Sequence, residues 1–155
     1  MARYQDGPCF TVGVFQDAAW ASRGLTALAG EGFPPEALSI LAKQAPGIDE
    51  LMEKTFGVGV AQAAVDVAGL GTAVAHGALV ETLQGDDNGL GASGVAATMR
   101  RAGFQAHDGF IFETLTARGG VLVGVVGEPR AADALALLHA YGGGNAAIGA
   151  WGGRV

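Results

Sequence analysis

Proline placement limits the architecture of this 155-residue chain more than any other feature of its sequence. The five prolines stand at positions 8, 34, 35, 46 and 129, so residues 47–128 contain none. Because proline interrupts the interior of a helix, helices can form throughout such a segment. The distribution therefore predicts a helical middle, which includes the stretch FGVGVAQAAVDVAGLGTAVAHGALVETL at 56–83.

Two segments flank this middle and share one pattern. Apolar, β-branched runs at 9–15 (CFTVGVF) and 120–126 (GVLVGVV) predict strands, and an alanine-rich helical pattern follows each of them. Asp17 is a suitable N-cap for the first helix. The predicted buried stripes are Ala18, Ala21, Leu25 and Leu28 in the first helix, and Ala131, Ala134, Leu135 and Leu138 in the last.

Each flank also ends in a predicted second strand, at 37–43 (ALSILAK) and 145–151 (NAAIGAW). Two βαβ halves, at 9–43 and 120–151, predict an α+β fold of the ferredoxin-like, or split βαβ, type. That fold has a four-stranded antiparallel sheet with two helices on one face. A glycine- and alanine-rich helical insertion at 47–118 would separate the halves, and the length suits a single domain over 1–155.

The order of these segments resembles a bacterial family. The segment TVGVFQDAAWASRGLTALAGEGFPPEALSILAK, the glycine-rich centre and FIFETLTARGGVLVGVVGEPRAADALALLHAYGGGNAAIGAW are similar to the general stress protein 17M-like, or heat-induced stress protein, domains. Gly32-Phe33, the segment 113–120 and the strand 121–126 occupy the corresponding places. The resemblance implies a stress-associated protein and supplies no catalytic residues.

The central stretch is not predicted to cross a membrane, because only the nine residues 67–75 separate Asp66 from His76. As a helix it would carry a seam of small residues, which are Val60, Ala64, Val67, Gly71, Val74 and Ala78. Such a seam is typical of an ordinary buried helix or of a helix at a subunit interface. Both interpretations are packing roles.

The polar residues of the middle do not form a recognisable active site. In one continuous helix Asp66 and His76 would lie about 15 Å apart, too far for a hydrogen bond, although a hairpin would bring them closer. The segment GLGASG (89–94) matches a phosphate-binding fingerprint but lacks the preceding strand, so a glycine-rich helix start capped by Asp87 or Asn88 is favoured. In that helix Gly91 and Gly94 would lie against a neighbouring backbone.

The other reactive residue types are isolated in the sequence. Asp108 suits an N-cap, and His139 falls late in the last helix. His107 and the remaining histidines lack metal-ligand spacing, and Cys9 is the single cysteine. We therefore predict neither a cofactor nor catalytic or metal-binding residues.

Charge and termini indicate where such a chain would act. A formal net charge of -6 disfavours nucleic acid and a polybasic membrane anchor. The start MARYQDGPCF lacks the apolar core of a secretory signal, which predicts a cytoplasmic protein.

The leading hypothesis is a non-enzymatic, cytoplasmic stress-response protein that acts through self-association as a homodimer or higher homo-oligomer. Apolar residues occur on both faces of strands 10–15 and 121–126, so both faces of the sheet need cover, from the insertion or from a second copy. The alternative is a sensor of a small ligand or metal, with a pocket between the sheet and the inserted helices and with Asp66, His76 and His107 as its polar groups. A weaker third hypothesis is a hydrolase or isomerase that uses Asp66 with His76 or His107.

Overall fold

The computed structural model describes residues 10–57, 64–87, 89–126 and 130–141. These residues form five strands and six helices. They are β1 (Phe10–Phe15), α1 (Ala18–Gly30), β2 (Leu38–Lys43), α2 (Ile48–Phe56), β3 (Ala64–Val67), β4 (Gly71–His76), α3 (Ala78–Gln84), α4 (Gly89–Arg101), α5 (Ala106–Ala117), β5 (Val121–Val126) and α6 (Ala131–Ala140). A short 3-10 turn, Pro35–Ala37, precedes β2.

The strands form one antiparallel sheet, in which the order of the strands differs from their order along the chain. Its order is β1-β5-β2-β4-β3, so β5 lies between the two strands of the first flank. The register places Val123 of β5 beside Gly13 on one side and Ile40 on the other. Because β5 is central and rich in valine, its side chains are buried on both faces of the sheet.

Helices cover both faces of this sheet. Val121, Val123 and Val125 pack into a core with α1, α2 and α6, which we call the first helical layer. Leu122 packs with α3, α4 and α5 into a second core, and we call these helices the second helical layer. The alternation of side chains along β5 therefore divides the interior into two cores.

The two flanks confirm much of the sequence prediction. Asp17 caps α1, since its Oδ1 accepts a hydrogen bond of 2.9 Å from the backbone N–H of Trp20. Ala21, Leu25 and Leu28 are buried as predicted, and α1 ends at Gly30. In α6, Ala134 and Leu138 are buried and His139 lies in the last turn. The predicted strand 145–151 and Cys9 lie outside the described residues.

The prediction of a continuous helix in the central stretch is wrong. Residues 64–76 form the hairpin β3-β4, and helix begins again only at Ala78. Gly69 and Gly71 adopt φ values of +87° and +88° in and after the turn, a conformation that a right-handed helix excludes. The β-branched residues Val65, Val67 and Val74 favour the paired strands.

The predicted helical seam is therefore also wrong. Val67 belongs to the core of the second helical layer and Val74 to that of the first, so these two residues point to opposite faces of the sheet. Val60 lies outside the described residues, and Ala78 begins α3. Residues at helical spacing form a seam only within one helix. In a strand, side chains alternate between the two faces, so the residues of the predicted seam are divided between the faces.

The hairpin also changes the predicted sheet and insertion. Strand β4 pairs with β2, so the sheet has five described strands instead of four. The insertion at 47–118 contains both a hairpin and helices, and its helices α3, α4 and α5 cover the sheet face that the sequence left without an assigned cover. Within the described part of the chain, every helix is too short or too polar to cross a membrane.

Candidate functional site

A groove runs between α1 and α2 on the outer side of the first helical layer. Helix α2 begins after Gly47, whose φ is +89°, and its residues Ile48, Leu51 and Met52 anchor it to the sheet. Helix α1 is anchored by its own buried stripe. A space remains between the two helices at the surface.

The inner part of this groove has an apolar floor and a polar rim. Its volume is about 290 Å³, and the buried side chains of Leu25, Phe33, Leu38 and Leu51 form the floor. The other lining residues are Ser22, Thr26, Ala29, Pro35, Lys54 and Thr55. A concave apolar surface with a few polar groups at its edge is the usual form of a small-molecule site, and this volume lies at the small end of the usual range.

Lys54 and Ser22 meet across the groove. The Nζ of Lys54, near the end of α2, donates a hydrogen bond of 2.7 Å to Oγ of Ser22 on α1. This bridge separates the inner part from a wider outer part of about 690 Å³, which Glu50 and Glu53 line together with Ala18, Ala19 and Gly47. Lys54 is thus the one charged side chain among the inner lining residues.

The residues that the sequence singled out lie elsewhere and are not brought together. Asp66 on β3 is paired with Thr72, whose hydroxyl donates to Asp66 Oδ1 over 3.1 Å. His76 lies four residues beyond Thr72, about 13 Å along the strand. Its ring packs against that of Phe56, with centroids 4.4 Å apart and the ring planes tilted by 56°. His107 is the second residue of α5 in the second helical layer. The hairpin therefore does not produce the acid–base pair, and none of the three residues lines the groove.

The glycine-rich segment at 89–94 is the start of α4, and one of the chain's own carboxylates lies against it. Gly94 has φ +92° and ψ −179° and interrupts the helix. Beyond this kink, the N–H of Ala96 donates to Oε2 of Glu113 over 3.4 Å. A Cβ on Gly94 would lie 2.7 Å from the carbonyl oxygen of Ala68, which confirms the predicted close approach to a neighbouring backbone. Glu113 therefore occupies the place that a phosphate would need.

The predicted capping residues around this segment act differently. Asp87 pairs with Arg101, whose Nη1 lies 3.0 Å from Asp87 Oδ2. Asn88 lies outside the described residues. Asp108 is not the N-cap of α5, because the helix begins at Ala106 and Asp108 is buried within its first turn. Burial raises the pKa of Asp108 above its ordinary value of 3.8, and the nearby His107 opposes that shift.

Only part of the groove could be predicted from the sequence. Ser22, Thr26 and Ala29 follow each other at helical spacings of four and three, which predicts a stripe of small residues beside the apolar stripe of α1. Lys54 lies 32 positions from Ser22, and nothing local connects the two residues. Only the packing of α2 beside α1 brings them together.

Among the described residues, no cluster of histidine, cysteine, aspartate or glutamate is arranged to hold a metal ion. No protein-family model, curated protein or solved structure matches this chain. The groove between α1 and α2 is therefore identified as the candidate site on its geometry.

Proposed function

We propose that this protein binds a small molecule with an apolar body in the inner part of the groove between α1 and α2. The observation that carries the proposal is the apolar floor of Leu25, Phe33, Leu38 and Leu51 beneath a rim of hydroxyl groups and one ammonium group. Binding would be its activity, and the proposal assigns no catalytic residues. It places the pocket against an inserted helix, α2, but replaces Asp66, His76 and His107 as its polar groups.

Closing the groove tests this proposal. Ala29 is an exposed lining residue, so Ala29→Trp would place an indole over the apolar floor. Ala97, an exposed alanine of α4, provides the matched control Ala97→Trp in the second helical layer. We expect native mass spectrometry of protein purified from its own host to detect a retained small molecule on the unsubstituted chain and on Ala97→Trp. We expect Ala29→Trp to lose it.

Two outcomes contradict the proposal. In the unsubstituted protein, a mass without any addition beyond 15.5 kDa for each chain would leave the groove without a ligand. Equal retention by Ala29→Trp and Ala97→Trp would place the ligand outside the groove.

We propose self-association as a second candidate function, favoured by one observation on α5. Phe110 is 64% exposed there, and its burial against a second copy would remove apolar surface from water. The earlier reason for a homodimer was an uncovered sheet face, and α3, α4 and α5 now supply that cover. Light scattering tests this candidate: we expect a dimeric mass that Phe110→Ser reduces to 15.5 kDa, and a monomeric unsubstituted chain would contradict it.

We also propose a stress-associated role, which rests on the resemblance to the general stress protein 17M-like domains. A ferredoxin-like core rests on the order of β1, β5 and β2, which that fold also requires. The cytoplasmic location and the lack of affinity for nucleic acid rest on the sequence.

A further inference from the structure

The charges around the groove are unevenly distributed along its length. The inner part has Lys54 as its charged lining residue, whereas Glu50 and Glu53 line the outer part. Lys54 lines both parts and therefore marks the boundary between a cationic rim and an anionic one. A ligand with one negative group would meet Lys54 at this boundary and would be repelled from the outer part.

Lys54 and Ser22 also have unused hydrogen-bonding capacity. An ammonium group has three N–H donors, and one of those of Lys54 is directed to Ser22. The Ser22 hydroxyl accepts that bond and keeps its own proton to donate. Among the described residues, the ion pairs are Arg101–Asp87 and Arg130–Asp133, and neither involves Lys54. Two donors of Lys54 and one of Ser22 can therefore converge on an oxyanion.

The size of the inner part limits the body of the ligand. At about 30 Å³ per non-hydrogen atom, the volume of a water molecule in the liquid, 290 Å³ holds about ten such atoms. An unbranched chain of about eight carbons with a carboxylate has this size. Its tail would lie along the floor between Phe33 and Leu51.

We propose that the groove binds a medium-chain monocarboxylate, with the carboxylate held by Lys54 and Ser22 and the alkyl chain on the apolar floor. This inference rests on the proposed function and names the chemical class of its ligand. Because Lys54 is exposed, the charge should improve affinity by a modest factor, about three- to tenfold.

Three probes with the same alkyl chain separate the two proposals. Octanoate, octanol and octylamine carry a negative, a neutral and a positive head group, and each can be titrated into the full chain below its aggregation concentration. We expect octanoate to bind about three- to tenfold more tightly than octanol, and octylamine to bind no more tightly than octanol. Added salt should reduce the advantage of octanoate.

Two charge-matched variants locate the cause. Lys54→Met keeps an unbranched side chain without the charge, and we expect octanoate to bind it no more tightly than octanol, whose affinity stays unchanged. Arg23→Met removes one positive charge from α1 at a residue that does not line the inner groove, and we expect it to keep the preference. Circular dichroism of each variant confirms that it is folded.

The outcomes are distinguishable. If octanol binds but octanoate has no advantage, or if Lys54→Met keeps the advantage, the carboxylate inference is wrong and the apolar groove remains a binding site. Equal loss in Lys54→Met and Arg23→Met would attribute the preference to the overall charge and would also overturn the inference. If none of the three probes binds, both proposals are wrong.

Discussion

The two helical layers cover the same sheet, yet their helices are joined to one another in different ways. In the second helical layer, backbones approach closely and hydrogen bonds connect neighbouring elements. A Cβ on Gly109 of α5 would lie 3.1 Å from the carbonyl oxygen of Ala96 on α4, and Arg101 of α4 donates to the carbonyl oxygen of Leu83 on α3 over 2.7 Å. Between α1 and α2 of the first helical layer, by contrast, the bridge from Lys54 to Ser22 spans an open groove.

This difference separates structural positions from positions that are free to bind. Substitutions in the closely packed layer displace backbone or leave buried polar groups without partners, which destabilises the fold. The polar side chains at the rim of the groove, such as Ser22 and Lys54, contact solvent on one side, so they can change with little effect on stability. The comparison therefore predicts that substitutions at the close contacts of the second layer cost more stability than substitutions at the rim of the groove, and that ligand binding depends on the groove.

The largest expected effect is at Gly94. Its φ of +92° with ψ of −179° is a conformation that other residues rarely adopt, and a Cβ there would approach Ala68 and Glu113 within 3 Å. Gly94→Ala should lower the free energy of unfolding by more than about 3 kcal/mol in urea denaturation. Gly30→Ala is the control, because a Cβ there meets nothing within 4 Å, and it should be neutral or stabilising by up to about 1 kcal/mol. A similar, small effect at both glycines would contradict the close packing of the kink.

A smaller effect is expected at Ser39, which joins β2 to the second layer. Its buried hydroxyl accepts a hydrogen bond of 2.9 Å from the N–H of Leu79 in the first turn of α3. Ser39→Ala leaves that N–H without its partner and should cost about 1 to 2 kcal/mol by the same measurement. Ser22→Ala removes an exposed hydroxyl of the groove and should change stability by less than about 0.5 kcal/mol. An equal loss of stability in Ser39→Ala and Ser22→Ala would contradict the proposed difference between the two layers.

Glu113 should contribute less than Ser39. Its carboxylate lies at the start of the regular part of α4, where a negative charge interacts favourably with the free backbone N–H groups. Glu113→Gln should lower stability by about 0.3 to 1 kcal/mol, and the loss should shrink at high salt. Glu53→Gln removes the same charge from the late part of α2, and an equal loss there would indicate a general charge effect.

The smallest effect concerns pH and Asp108. Because burial raises the folded-state pKa of Asp108, the unfolded chain releases this proton more readily than the folded chain. Asp108 therefore disfavours folding progressively as the pH rises from about its ordinary pKa of 3.8 through the folded-state pKa. Asp108→Asn removes this dependence, so its stability relative to the unsubstituted chain should increase from pH 3.5 to pH 7, roughly across the range in which carboxyl groups titrate. A constant difference between the two melting temperatures over this range would contradict the burial of a titrating carboxyl group.

The sequence predicted the flanks better than the middle because their signals are local. Asp17, the stripe of α1 and the valine-rich β5 each identify their own element within a few residues. In the middle, alanine and valine at 64–76 suit either a helix or a strand, and the absence of proline permitted both. The hairpin is favoured over a helix by the positive φ values of Gly69 and Gly71 and by the pairing of β4 with the distant β2.

The candidate site was less predictable than the fold for a related reason. The sequence pointed to reactive residue types such as Asp66 and His76 as candidates for a site, but the register of the hairpin places them apart along the strands. The groove depends on how two helices lie on one sheet face, and its polar pair consists of an ordinary serine and an ordinary lysine. Residue type alone does not distinguish Ser22 and Lys54 from other surface residues.

The groove of the first helical layer is the place where we propose that this protein binds a ligand. Backbone amide NMR of the full chain during titration with octanol tests this proposal, since a neutral probe reports on the apolar floor without the charge of Lys54. We expect progressive shifts confined to α1, the turn at Pro35–Ala37, the start of β2 and α2. Shifts centred on α3, α4 and α5, or no shifts up to the solubility limit of octanol, would contradict it.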